Sequence, residues 1–231
     1  EKRELFALTE PEAGSDIMSM KTNARRDGED WILNGSKHFI SGPMMPDFAI
    51  VFAVTGMDET ERGSRKRITA FLVDVGTEGF DISEGTRSVS YRGYLTFQLG
   101  FSDARIGPGQ ILGEEGRGLE LSGKWLSMNR VWVGASCCGK AERLLNLAAE
   151  WAATRKQFGQ PIGKFQATGF KLADMAVELK AADLLVMDAV AKGDKGKMSD
   201  SDAAMVKLFC SEMLNRTADH TVQIYGGMGL M

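Results

Sequence analysis

The chain has 231 residues, 43% of them hydrophobic and 26% charged, a composition that suits folded globular domains and excludes a disordered tail, a collagen or a disulfide-stapled miniprotein. At roughly 150 residues per domain this length allows one to two domains. Twenty-eight Lys and Arg against 31 Asp and Glu leave a formal net charge of −3, which gives no electrostatic reason to expect nucleic acid as a partner.

The longest apolar run, residues 48–54, is far short of the ~20 residues a membrane helix needs, so no membrane insertion is expected. Cys137, Cys138 and Cys210 are odd in number and lack metal-ligand spacing. They read as small buried hydrophobes in a reducing compartment, with neither zinc site nor disulfide framework. His38 and His220 have no ligand companions nearby in sequence, so no metal site is expected.

Up to about Leu112, short apolar or alternating runs separated by turn residues predict an antiparallel β domain. Residues 31–33, 38–40, 48–54, 68–75 and 95–101 read as strands. Asp27-Gly28 and Asn34-Gly35 both carry the hairpin signal. Residues 58–67, with Arg62, Arg65, Lys66 and Arg67, read as a solvated polar loop, since no aromatic residues are interleaved to make a nucleic-acid patch.

From about Gly118 the period turns helical. Leu144, Leu145, Ala148, Trp151 and Ala152 make one stripe, and Phe170, Ala173, Val177, Leu184 and Met187 a second, interrupted by Lys180. A third helix is predicted after Ser199, whose hydroxyl precedes Asp202 by three residues, with a stripe through Ala203, Val206, Cys210, Met213 and Ile224. Three long helices with short connections predict an antiparallel bundle, one that reads as lacking its fourth helix. The glycines at 113, 116 and 118 make no GxGxxG and no GxxxxGK[ST] occurs. Neither common nucleotide cradle is present, and with no βαβ alternation in the pattern a Rossmann architecture is not expected.

The segment Phe6-Ala7-Leu8-Thr9-Glu10-Pro11-Glu12-Ala13-Gly14-Ser15-Asp16 packs hydroxyls, carboxylates, Pro and Gly behind an apolar start. Such a loop brings backbone and donors close to a planar or anionic ligand. It resembles the T-E-P-x-A-G-S-D signature of the acyl-CoA dehydrogenase family of flavoproteins. Three further segments resemble that family in the same order: residues 34–42 (NGSKHFISG) its NGxKxWITN, residues 154–159 (TRKQFG) its TRxQFG, and residues 223–229 (QIYGGMG) its QIxGGxG. The resemblance covers essentially the whole chain. It implies an α+β fold, with a middle β domain at 1–113, shaped as a barrel or sandwich, followed by a truncated helical-bundle domain at 114–231.

What the resemblance implies about chemistry is carried over residue by residue. FAD is the implied cofactor. Phe6, Leu8 and Thr9 stand where the family contacts the flavin ring. Phe39 stands where it usually has Trp, and Ser41 where a Thr hydroxyl bonds near the flavin N5. Both changes keep the residue type needed, an aromatic face and a hydroxyl donor. Arg155, Phe158 and Gln166 match residues that reach the FAD of a neighbouring subunit, and Gln223, Gly226 and Gly227 the strip along its ADP part. A homodimer or homotetramer follows from that sharing. Ser15, Asn129 and Arg130 match positions beside the substrate.

The implied reaction is α,β-dehydrogenation of an acyl-CoA thioester to the trans-2-enoyl-CoA, with electrons passed to electron-transfer flavoprotein. An acyl-CoA oxidase using O₂ and a non-catalytic FAD- or CoA-binding relative remain as alternatives. Most members draw the catalytic Glu from a loop past QIxGGxG, which is expected beyond Met231. A minority place it where this chain has Asn129, and an amide cannot take a proton as a carboxylate does. No base can be named, and a family N-terminal helical domain has no counterpart here. The chain thus reads as an enzyme fragment with negligible turnover alone. The expected compartment is the bacterial cytoplasm, or the mitochondrial matrix in a eukaryote.

Overall fold

The computed structural model describes residues 2–42, 44–61, 63–89 and 93–231. The chain divides into two units, Glu1–Gly123 and Lys124–Met231.

In the first unit, the described residues form seven strands in one sheet: β1 (Glu4–Ala7), β2 (Asn23–Asp27), β3 (Asp30–Gly42), β4 (Phe48–Thr60), β5 (Gly63–Asp74), β6 (Phe80–Glu84) and β7 (Leu95–Ile106). Their order is β1-β4-β2-β3-β7-β6, with β5 along β4. Four pairings are antiparallel, but β1 runs parallel to β4 from Glu4↔Phe48 to Ala7↔Val51, and β2 meets β4 in parallel at Asn23↔Val54. The sheet is therefore mixed where the sequence suggested a purely antiparallel one. Two short segments share one edge of β4 end to end, which period alone does not reveal.

One face of the sheet buries Leu5, Trp31, Leu33, Val51, Phe71, Phe97, Leu99 and Ile106. The opposite face of β4 and β5 buries Phe52, Ile68 and Ala70 with Leu8 and Met20. Burial on both faces is the reason β4 reads as a continuous apolar run rather than an alternating one. Two sequence expectations need correction here. Residues 58–67 are no loop: β4 and β5 continue through them as a paired hairpin closing between Thr60 and Gly63, although Arg62 lies outside the described residues. Asp27-Gly28 does turn β2 into β3, but Asn34-Gly35 makes no hairpin and lies inside β3 at a register shift. Gly35 has φ +141°, and a Cβ there would fall 2.5 Å from the Thr22 hydroxyl. Close backbone approach, not a turn, explains this glycine.

The second unit carries α1 (Gly118–Thr154, whose first turn belongs to the β unit), α2 (Gln166–Gly193) and α3 (Asp200–Tyr225). Its core is built from small side chains: Cys137, Cys138, Ala141, Ala182, Ala189, Ala203 and Cys210, filled out by Val131, Val186, Val206 and Met213. The three cysteines are free and buried, as composition suggested. Close helix approach goes with this stripe; a Cβ on Gly134 would fall 2.3 Å from Val206. The expected α2 stripe is corrected: Phe170, Ala173, Val177, Leu184 and Met187 face outward, whereas Met175, Ala182, Val186 and Ala189 face in.

Ser199 caps α3 as its position implied. Its hydroxyl accepts the Asp202 amide at 3.1 Å, and the Asp202 carboxylate accepts the Ser199 amide at 2.9 Å. Asp202 also takes the Lys192 ammonium at 2.6 Å, and that contact holds its carboxyl well below the usual range. Replacing Ser199 with alanine is expected to lower stability by about 1 kcal/mol, with Ser199→Asn close to the parent in the same urea melts. An alanine variant melting with the parent would show that the cap does not hold α3.

Candidate functional site

In the β unit, two of the motifs are bound into one another. Past β1 the chain makes a tight turn, with the Glu10 amide on the Ala13 carbonyl at 3.0 Å and the reverse bond at 3.3 Å. Glu10 turns inward and Lys37 of β3 meets it. Their Nζ–Oε1 distance is 2.9 Å, and the two side chains are 5% and 0% exposed. Lys37 also donates to the Leu8 carbonyl at 3.1 Å. The Glu10 carboxylate accepts the amides of Lys21 at 2.7 Å and Thr22 at 3.0 Å.

Burial pushes the Lys37 ammonium down to about 8 against the pull of Glu10. Burial pushes the Glu10 carboxyl up, but the Lys21 and Thr22 donors together with Lys37 outweigh it, and it titrates below its usual value. The pair is thus ionised at neutral pH, held by charge-assisted bonds on every side.

One residue on, the His38 amide donates to the Thr9 carbonyl at 2.9 Å. Here β3 and β7 shift register between Lys37 and Ile40. Both of these residues point inward, although an odd separation would put them on opposite faces of a regular strand. A bulge absorbs the extra residue, and Phe39 takes φ +55° with its ring 59% exposed. A positive φ on a bulky side chain is an outlier that needs surrounding structure to hold it. The His38 ring stands edge-on to Phe39 at 3.9 Å, and the Ser41 hydroxyl donates to the Phe39 carbonyl at 3.3 Å.

The structure thus gathers Leu8, Thr9, Phe39 and Ser41 around one patch. Phe6 is half-buried on Phe52 with ring centres 4.9 Å apart, and Ser15 lies exposed on the turn. An exposed aromatic face, hydroxyls and fixed backbone groups fit a planar heteroaromatic ring. Sequence reading missed Glu10 and Lys37 as partners. The signal was available: Lys37 falls in phase with buried Leu33 on β3, and a charged side chain at a core phase demands an opposite charge.

In the helical unit a second group forms. Arg155 follows α1, its carbonyl accepting the Ile162 amide at 2.8 Å. Two short strands, β8 (Lys156–Gln157) and β9 (Gln160–Pro161), then pair around Phe158 and Gly159 at φ +50° and +77°, the double positive φ of a type I′ hairpin. Phe158 is 93% exposed, edge-on to Phe165 at 6.1 Å, and Gln166 opens α2 beside it.

The QIYGG segment ends at the same place. Tyr225 stacks on Trp151, one turn before Arg155, with ring centres 4.9 Å apart and planes 8° from parallel, and its hydroxyl donates to the Leu147 carbonyl. Gly226 leaves α3 with φ +63°. Arg155, Phe158, Gln166, Gln223, Gly226 and Gly227 are all exposed at this end. An exposed guanidinium and side-chain-free backbone suit a pyrophosphate. Asn129 and Arg130 are half-buried on α1. Among the described residues no group of His, Cys, Asp and Glu could hold a metal, and no helix is long and apolar enough to cross a membrane.

Residues 5–104 match the acyl-CoA dehydrogenase middle-domain model and residues 116–231 its C-terminal-domain model. The chain is 40% identical to a 3-(aryl)acrylate reductase of Clostridium sporogenes over 99% of its own length and 60% of that protein. It is 38% identical to the caffeyl-CoA reductase-Etf complex subunit CarC of Acetobacterium woodii, over 99% of the chain and 59% of that protein. Among solved structures, butyryl-CoA dehydrogenase from Megasphaera elsdenii superposes with a TM-score of 0.91 at 37% identity, covering 100% of this chain and 59% of that one. The chain spans about 60% of the length of these relatives. With both family models matched along nearly its whole length, the chain belongs to the acyl-CoA dehydrogenase family.

Proposed function

We propose that this chain is the flavin-binding part of an FAD-dependent enzyme that oxidises the Cα–Cβ bond of an acyl-CoA thioester and passes electrons to electron-transfer flavoprotein. The observation that carries this reading is the patch where the Thr9 segment meets the Phe39 bulge. When bound, FAD supplies the hydride acceptor for the β-carbon.

The chain's own residues bind and orient. Phe39 offers an exposed ring face, and Thr9 and Ser41 offer hydroxyls beside it. Fixed donors at such a site cost no reorganisation during reaction, which favours developing charge. Ser15 borders the acyl-CoA in this reading, and Asn129 and Arg130 face substrate from α1. Asn129 holds no ionisable proton and is not the base. The β domain at 1–113 thus serves flavin and acyl-CoA, and the helical domain at 114–231 the cofactor of a second copy.

That second copy is met by Arg155, Phe158 and Gln166, with Gln223, Gly226 and Gly227 along the ADP part. The outward stripe of Phe170, Val177, Leu184 and Met187, each more than half exposed, is apolar surface of the kind that self-association buries. A homodimer or a dimer of dimers follows.

The names of two relatives, an arylacrylate reductase and a caffeyl-CoA reductase complex subunit, favour a second reading in the opposite direction, reduction of an aryl-substituted 2-enoyl thioester. Flavin content decides the common part first. FAD titration of the purified chain, followed by absorbance and sedimentation, is expected to show stoichiometric uptake with a shifted flavin band in a dimer or tetramer. A folded oligomer that takes up no flavin would refute the proposal. Removing a charge-assisted bond costs about 1.5–3 kcal/mol, so Arg155→Ala is expected to weaken FAD retention roughly ten- to hundredfold at matched protein concentration. Equal flavin content in variant and parent would remove Arg155 from the site.

A further inference from the structure

We propose that Lys37 and Glu10 act as a positioning couple, locking the Leu8–Thr9 backbone against the Phe39 bulge, so that the pair sets flavin affinity and spectrum beyond its part in holding the fold. The flavin half of this inference rests on the function proposed above.

Stability alone is a poor reason for the pair. Taking two charges out of water is expensive, and apolar side chains of similar shape are often as stabilising. What apolar side chains cannot do is fix backbone groups. From two side chains come four bonds to separate places: the Leu8 carbonyl at the end of β1, the amides of Lys21 and Thr22 on the approach to β2, and the bond joining Glu10 to β3 itself. The Lys37 head is fully buried, so it touches no ligand and acts only through what it holds.

Lys37 is also the last residue before the register shift. The next amide, that of His38, grips the Thr9 carbonyl, and the residue after it is Phe39 at positive φ. An ammonium that fixes Leu8 on one side and its own strand on the other sets the offset between the turn and the exposed ring. Without it, the loop keeps its tight turn and the His38–Thr9 backbone bond but loses its side-chain tie to β3.

The test uses the 231-residue chain and two variants, Lys37→Met and the double variant Lys37→Met with Glu10→Gln, in which no buried charge is left unpaired. Amide hydrogen exchange is read at Lys21, Thr22 and His38 and along β4 and β5, with FAD affinity and absorbance read on the same samples. The double variant, whose glutamine has one acceptor oxygen for two amides, is expected to lose less stability than Lys37→Met, while exchange at the three loop amides quickens about tenfold, well beyond any change along β4 and β5. Its FAD affinity is expected to fall about tenfold, with the band moving toward that of free flavin.

Unchanged loop exchange overturns the inference. So does exchange that quickens uniformly across the sheet, which is what a purely structural pair would give. A parent chain that takes up no FAD refutes the proposed function instead, and the exchange pattern then decides the positioning role by itself.

Discussion

Glu10→Ala is expected to destabilise the β unit by about 3–5 kcal/mol, the usual cost of breaking a buried ion pair by removing one partner. The reason is local. Lys37 is fully enclosed, so once Glu10 is gone the Leu8 carbonyl is the partner left to its ammonium among the described residues, and the amides of Lys21 and Thr22 lose their shared acceptor.

The pH dependence has a defined sign. Burial already holds Lys37 at about 8 in the parent, and loss of Glu10 lowers it further. Between that lower value and about 8, the unfolded lysine keeps a proton that the folded variant has released, so the variant gains stability with rising pH while the parent does not. Above it both gain together. The deficit should therefore be widest below that lower value, narrow again in the acid range where the parent's Glu10 takes up a proton, and shrink toward pH 8. Urea melts of both proteins across this range check it; a deficit under about 1 kcal/mol, or one that grows toward pH 8, would mean that water reaches Lys37.

Phe71→Ala is expected to cost a similar amount, about 3–5 kcal/mol, because a large side chain leaves a cavity that the core closes only in part. Phe71 is fully buried on β5 and meets Trp31 edge-on at 5.6 Å. Among the described residues the Trp31 indole nitrogen has no hydrogen-bond partner, so its ring is held by packing, with the Arg26 guanidinium 4.4 Å from it. A domain has only about 5–15 kcal/mol in hand, so the alanine variant should be largely unfolded at temperatures the parent tolerates. Phe71→Leu, which conserves much of the volume, should lose less than about 1.5 kcal/mol. Equal losses for the two would show that volume at this position does not govern the core.

The parts of the fold that were legible in the sequence were those with a local cause. Ser199 and Asp202 form a cap within four residues, and the α3 stripe from Ala203 to Ile224 faces inward as its spacing implies. Asp27-Gly28 turns because Gly28 takes φ +64° there. Asn34-Gly35 carries the same local signal and fails, because Thr22 from another segment occupies the space beside Gly35. On α2 the bulkier apolar residues look like a core stripe, yet the core is lined by alanines and a valine facing the small side chains of α1 and α3. Period identifies a helix without telling which of two apolar faces meets its neighbours in the same chain.

By itself, then, the sequence determined a β region followed by three helices, the caps and turns that short-range bonds decide, and four motifs that identify the family. Only the tertiary structure decided that Lys37 goes inside, that a bulge turns Phe39 out beside it, and that Trp151 and Tyr225 bring two distant motifs to one end of the helical unit. Each of these depends on a partner many residues away, such as Glu10 for Lys37 or Tyr225 for Trp151. Burial of a charge or the stacking of two rings is a property of the pair, and the pair exists only once the chain has folded.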